Sequence, residues 1–455
     1  MIKRYGAEFL GTFGIVFAPV ALSGSGAMHG GDSSLLASAL VSGLAVLAMI
    51  CIANLQYGWT LFVDPLTDPT KNGGHTWTKA AVQSAFTLFV LFETWVVPFN
   101  GWFADKFGPK PMVALGGILV GIGWVVNAHV DSISGLLLGE ALSGIGAGLV
   151  YGTMVGIAVK WFPDKRGLAV GLTAAGFGAG AALTVIPIGH VIKGSGYGAA
   201  FQTFGVIQGL IILAISFFLA FPSVKELLAV TPVASTSARQ RKRSYTPRQV
   251  LTSPSFYLLY VMMTMIATGL LFVTAQVAPM GKNYGVAAIL PLALVIDNLT
   301  NGGSRVLFGW ISDRVGREVT MAFAFTCEAL GLLGLIFAAH NPALFVVCAA
   351  ATFLASGEIY SLFPASCTDL FGTEYATTNA GLLYTAKGTA SFVVPIASLI
   401  YASTGSWSAI LGVLVAFNII VAALALAVLK PMRERAVANE GAAAAVMGGS
   451  AAAAH

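Results

Sequence analysis

Apolar runs of about twenty residues recur along this chain, and each is long enough to cross ~30 Å of hydrocarbon as a helix. Six fall at 34–58, 83–103, 111–129, 134–157, 168–192 and 199–221. Six more follow at 255–276, 286–311, 319–339, 342–365, 379–403 and 407–429. In hydrocarbon the backbone N–H and C=O groups have only each other to bond, so such runs must be helices. Charged residues are 9% of the 455, against the roughly 25% of a soluble domain. The chain is therefore read as an all-α membrane protein with twelve transmembrane helices.

The sequence pI of about 9.0 would fit a nucleic-acid binder, but the basic residues lie where loop anchors lie. Lys106, Lys110, Lys160, Lys165, Arg166, Arg314 and Arg317 follow even-numbered spans. Lys225, Arg239, Arg241, Lys242, Arg243 and Arg248 lie between the two sets, and Lys430, Arg433 and Arg435 lie after the last span. Only Lys71, Lys79, Lys193 and Lys282 fall on the opposite side. Sixteen against four makes the first group cytoplasmic by the positive-inside rule and argues against nucleic acid. Residues 1–33 are set apart as an N-terminal hydrophobic extension. Its apolar stretch 7–22 reads as a thirteenth span, a signal-like segment or a misassigned start, and the sequence leaves all three open. The four cysteines have no metal-ligand spacing and read as packing residues.

The two sets of spans repeat one plan. Gly101-Trp-Phe-Ala-Asp105-Lys106-Phe-Gly108 returns as Gly309-Trp-Ile-Ser-Asp313-Arg314-Val-Gly316, and 309 minus 101 is 208. Pro187 returns as Pro395 at the same offset. This gives two pseudo-symmetric six-helix bundles, 34–222 and 255–430, joined by a cytoplasmic linker 223–254 and followed by a disordered tail 431–455. Many secondary transporters are built from such repeats, with the substrate site between them near mid-membrane.

Two cations interrupt spans where they are costly. Arg305 and Lys387 each lie eight residues from the cytoplasmic end of a span, about 12 Å deep. Each must face a partner, a cavity or a substrate, and two of them together point to a small anion. A planar guanidinium and a compact ammonium suit a carboxylate. Tyr151 and its repeat mate Tyr360 come to similar depth, and Tyr384 shares a face with Lys387. Gln56, Tyr57 and Asn301 complete the candidate binding set. Asp297, Asn301 and Arg305 are spaced by four on one helix. A buried carboxylate without a partner is able to carry a proton at neutral pH, so Asp297, Glu358, Glu93 and Glu140 are the proton-coupling candidates. Glu93 is the repeat mate of Asn301, since 301 minus 208 is 93. Asp297 is also placed to neutralise Arg305 instead. Gly144, Gly146 and Gly148, like Gly176, Gly178 and Gly180, read as close helix packing.

The doubled loop motif resembles the signature of the major facilitator superfamily, over residues 34–430. Finer motifs resemble the oxalate/formate antiporter family and its monocarboxylate transporter relatives. They are Asn54-Leu-Gln56-Tyr57-Gly-Trp59, Trp161-Phe-Pro-Asp164-Lys-Arg166-Gly, Asn301-Gly-Gly-Ser-Arg305, Tyr360-Ser-Leu-Phe363-Pro364 and Ala386-Lys387-Gly-Thr-Ala. The resemblance implies that Arg305 and Lys387 hold a carboxylate substrate. It also implies that the loop residues Gly101, Asp105, Gly108, Gly309, Asp313 and Arg314 latch the bundles in one state of a cycle. Where the antiporter family has a tryptophan four residues before Tyr360, this chain has Ser356, which weakens the case for oxalate. The expectation is a secondary transporter of small carboxylates, oxalate/formate-like or lactate-like, working by antiport or proton symport in the cell inner (plasma) membrane. Its partners would be a carboxylate, protons and the bilayer, and it would act as a monomer. A transport-inactive sensor of the same anion is the alternative. No P-loop, nucleophile–base pair or metal-ligand set points to an enzyme, a cofactor or a metal.

Overall fold

The computed structural model describes residues 32–70, 73–161, 166–221, 244–372, 374–436 and 438. The extension 1–31, most of the expected linker and the end of the tail lie outside the described residues. Those described are mostly helical, with no strand among them. In chain order the first half holds α1 (Asp32–Tyr57), α2 (Thr60–Thr67), α3 (Lys79–Trp95), α4 (Val97–Phe107), α5 (Pro109–Ala128), α6 (Ile133–Trp161), α7 (Arg166–Gly180) and α8 (Val185–Ser216). The second half holds α9 (Pro247–Leu251), α10 (Pro254–Asn283), α11 (Leu290–Val315), α12 (Arg317–Ile336), α13 (Pro342–Ser356), α14 (Ile359–Phe371), α15 (Ala376–Ala390), α16 (Val393–Thr404) and α17 (Ser408–Leu424).

Among the described residues nine helices are long and apolar enough to cross a membrane, and ten if α3 and α4, bent by 40° at their junction, form one span. Two features keep that number low. The stretch Ala169–Ser216 counts once although it is 48 residues long, about 72 Å if straight and over twice the hydrocarbon thickness. It is interrupted at Gly196, whose φ of 86° no helix contains. α11 is not among the nine, because Asp297, Asn298, Asn301 and Arg305 lower the hydropathy of its first eighteen residues.

The repeat seen in the sequence recurs in the backbone. Gly108 (φ 84°) and Gly316 (φ 111°) both join two helices at positive φ, and 316 minus 108 is 208. Gly196 (φ 86°) and Gly405 (φ 67°) are a second such pair, at an offset of 209. Pro187 and Pro395 both sit in the first turn of a helix, α8 and α16. A proline is tolerated there because its missing N–H has no intrahelical acceptor to lose.

Packing joins the halves along α7–α11, α3–α15, α3–α16 and α2–α10. Large apolar side chains face outward, among them Phe323 (60% exposed), Phe217 (67%) and Phe337 (70%). An outer surface of that kind is solvated by lipid rather than by water. The chain stays helical through Ala436, and Arg433 is paired with Glu318 at the start of α12. Helix thus covers six residues beyond 430, since 436 minus 430 is 6.

Candidate functional site

Helix breaks gather around one buried polar centre. α1 ends at Tyr57, just after Gln56. α3 ends two residues after Glu93, α7 ends two after Gly178, and α15 ends three after Lys387. α14 begins one residue before Tyr360. A broken helix frees backbone groups at mid-membrane and lets side chains on either side of the break converge, which is how transporter sites are commonly built.

Lys387 occupies one side of this centre. Its Nζ donates to both carboxylate oxygens of Glu93, at 2.7 Å to Oε2 and 3.0 Å to Oε1. It also donates to Gln56 Oε1 at 2.7 Å and to the Tyr384 hydroxyl at 3.2 Å. The Tyr384 hydroxyl in turn donates to Glu93 Oε1 at 3.3 Å. Lys387 and Glu93 are fully buried, so both charges have left water and depend on each other.

Arg305 occupies the other side and is bonded less fully. Its Nη2 donates to the Tyr57 hydroxyl and to Asn301 Oδ1, each at 3.0 Å. Its Nε and Nη1 have no hydrogen-bond partner. The guanidinium carbon lies 4.3 Å from the ring centre of Tyr360, and Lys387 Nζ lies 5.6 Å from the same ring. The two cations therefore flank one tyrosine. Three further polar atoms in the set are unbonded: Tyr360 Oη, Asn301 Nδ2 and Gln56 Nε2.

An aromatic wall closes the set. Tyr151 and Tyr384 stack across the two halves with centroids 5.1 Å apart and planes 7° from parallel. Phe177 meets Tyr57 edge-on at 5.5 Å and Tyr151 at 5.4 Å, and its ring lies 5.3 Å from Lys387 Nζ. Every side chain of the set is buried, the most exposed being Tyr151 at 7%, so the centre is withdrawn from the surface. Toward the α2 end the halves are tied by Gln83 Nε2 to the Ala275 carbonyl, Thr87 Oγ1 to the Ser391 carbonyl and the Ala278 amide to Thr60 Oγ1. Asp64 there accepts from Lys282 of the other half at 2.7 Å and pairs with Lys79 of its own at 3.0 Å.

The structure thus brings Gln56, Tyr57, Glu93, Tyr151, Asn301, Arg305, Tyr360, Tyr384 and Lys387 together. It brings none of the remaining acids into contact with either cation. Asp297 lies two turns before Arg305 with both carboxylate oxygens unbonded, so Arg305 takes Tyr57 and Asn301 rather than Asp297. Glu140 accepts from Asn127 at 2.5 Å within the first half. Both carboxylate oxygens of Glu358 are unbonded. Of the loop motif, the backbone and glycines are described, while the side chains of Asp105 and Asp313 lie outside the described residues.

Two residues of the set went unread in the sequence. Phe177 carries no charge or motif, although counting its depth along α7 would have placed it beside Tyr151. Gly178 was read as packing alone. A Cβ there would lie 2.7 Å from Asn301 Oδ1 and 3.0 Å from Arg305 Nε, so its lack of a side chain makes room for the guanidinium.

Opposed buried charges, shared between the repeated halves of an all-helical membrane chain, are the marks of a polytopic protein with a closed central site. The model of the Major Facilitator Superfamily matches residues 34–395 and 280–452, and the chain belongs to that family of membrane transport proteins. It is 38% identical to the oxalate:formate antiporter of Oxalobacter formigenes, over 76% of this chain and 81% of that one. It is also similar to monocarboxylate transporter 11 of Homo sapiens, 25% identical over 52% of this chain and 50% of that one. An uncharacterized MFS-type transporter of Escherichia coli, YhjX, is 23% identical over 74% of this chain and 81% of its own.

Proposed function

We propose that this protein is a secondary transporter of small carboxylates that works by alternating access. It exchanges one carboxylate for another or carries one together with a proton. The observation that carries the reading is Arg305, a buried guanidinium with Nε and Nη1 unbonded in a shut, aromatic-lined centre. A buried cation left short of acceptors is costly, and a carboxylate supplies the acceptors in the geometry that a guanidinium matches. The relatives named for oxalate, formate and monocarboxylates favour the same chemistry.

In this reading twelve spans form two bundles, 34–222 and 255–430, joined by the linker 223–254. They comprise the nine apolar helices, the bent α3–α4 pair, the division of Ala169–Ser216 at Gly196, and the polar α11. The bundles rock about the site in a plasma membrane, with the linker on the cytoplasmic side, and the protein works as a monomer. Substrate enters when the bundles part at one end. It bonds to Arg305, draws on the free donors of Asn301 and Gln56 and on the Tyr360 hydroxyl, and is enclosed as Tyr151 and Tyr384 stack.

The test is uptake of labelled formate, lactate and oxalate into liposomes holding the purified protein. Uptake of at least one is expected, and Arg305→Ala should lower it at least tenfold. Undiminished uptake by that variant would overturn the site. Saturable binding without flux would instead make the protein a sensor.

A further inference from the structure

The two cations are not equivalent. Lys387 Nζ has three hydrogens and four acceptor atoms within 2.7–3.2 Å, two of them on Glu93. Arg305 has only two neutral acceptors and leaves two of its nitrogens unbonded. The centre therefore holds two positive charges and one negative charge, with the negative charge seated on the lysine. Asp297 does not alter that balance at the substrate position. It lies eight residues from Arg305 along α11, about 12 Å, and bonds to neither cation.

We propose that Glu93 is a specificity-determining residue: an internal carboxylate that occupies Lys387 and leaves a site of one net positive charge, selective for monoanionic carboxylates over dicarboxylate dianions. This rests on the proposed transport of carboxylates and adds the charge class of the substrate. A monoanion bonded at Arg305 completes the neutralisation of the centre. A dianion would bring its second carboxylate toward Lys387, where Glu93 already sits, and two carboxylates in one buried site repel. Glu93 is placed to do this because α3 packs against α15 from the opposite half. Gly388, next to Lys387, fits against Trp95 so closely that a Cβ there would meet its Nε1 at 3.0 Å. Closure of the halves thus brings the acid onto the lysine with little room for a second anion between them.

The experiment measures how unlabelled monocarboxylates and dicarboxylates compete with labelled formate or lactate for uptake into liposomes carrying the full chain. It is run at neutral pH, where both carboxyls of oxalate and malonate are ionised. The unmodified protein is expected to be inhibited by formate, acetate or lactate at concentrations at least tenfold below those needed of oxalate or malonate. Glu93→Gln keeps the shape and frees Lys387, and it should move that ratio toward the dicarboxylates by at least tenfold. Glu93→Asp should keep the original preference. An unmodified protein that takes dicarboxylates as well as monocarboxylates, or a Glu93→Gln protein that transports with an unchanged ratio, would overturn the proposal. Should the Gln variant fail to fold, the competition ratio of the unmodified protein still decides. Carboxylate flux with the wrong preference would sink only the role of Glu93. Absence of any carboxylate flux or binding would sink the function on which it rests.

Discussion

Arg305 is kept in a buried centre with neutral hydrogen-bond acceptors alone. Its two hydrogen bonds are each worth roughly 1.5–3 kcal/mol to a charged donor, and a desolvated ring face adds about 2 kcal/mol. Those contributions set a narrow margin against the several kcal/mol of burying an ion. Small displacements should therefore be felt. Gly178→Ala would push a methyl against Asn301 Oδ1 and Arg305 Nε, and a tenfold or greater fall in uptake is expected at equal amounts of folded protein. Asp297 offers a different test. Its carboxylate has no partner, as a proton carrier requires, so Asp297→Asn should abolish uptake driven by a proton gradient while sparing exchange between preloaded carboxylates. Unchanged gradient-driven uptake in that variant would remove Asp297 from the coupling path. At this scale the sequence was informative where charge or depth spoke. Gln56, Tyr57 and the two cations were legible because polar atoms at mid-span have few uses. The bond from Lys387 to Glu93 was not, because it joins residues 294 apart and no helical period relates one half to the other. Asp297 looked like the counter-ion to Arg305 because both lie on one stripe. A stripe fixes the face but leaves two turns of distance between them.

The breaks decide how the elements serve the site. Gly108 and Gly316 adopt φ of 84° with ψ of 169°, and φ of 111° with ψ of 150°, a region open in practice only to glycine. A Cβ on Gly108 would touch nothing, so the cost of Gly108→Ala is backbone strain alone, about 1–3 kcal/mol. Gly108→Ala should lower the thermal midpoint in detergent. An unchanged midpoint would mean that the turn between α4 and α5 relaxes at no cost. The repeat that predicts this pairing was legible in the sequence, since glycines and prolines recur at fixed offset for backbone reasons. The division of spans at Gly58 and Gly357 was less so, because a lone glycine inside an apolar run marks a close backbone approach as readily as a break. α11 was legible as the run 286–311, although Asp297 and Arg305 within it lower its hydropathy.

At the scale of the whole molecule, the closed centre and the ties near α2 would be one state of the cycle proposed above. Burial raises the Asp64 carboxyl, while Lys282 and Lys79 lower it, and the lysines prevail so that it lies below the ordinary carboxylate value. A carboxyl depressed by its partners supports closure at every pH above its unfolded value, and loses that support as pH falls through the folded one. The ion pairs at this end should therefore persist down to about pH 4. A distance measured between spectroscopic labels on α2 and α10 should stay constant from about pH 8 to about pH 5, and should lengthen only slightly in Lys282→Ala, because the Ala278 amide still donates to Thr60 Oγ1. A lengthening within that pH range in the unmodified protein would count against Asp64 as the tie.

The sharing of Asp64 has a mechanical side. Lys79 belongs to the same half as Asp64, and Lys282 to the other. When this end parts, Asp64 keeps a counter-ion and Lys282, already 49% exposed, returns to water. Exposed pairs of this kind are worth about 0–1 kcal/mol, so releasing and remaking the tie dissipates almost nothing. A carrier of the kind proposed has to reverse direction at every turnover, and a fastener this weak would add little to the barrier in either sense.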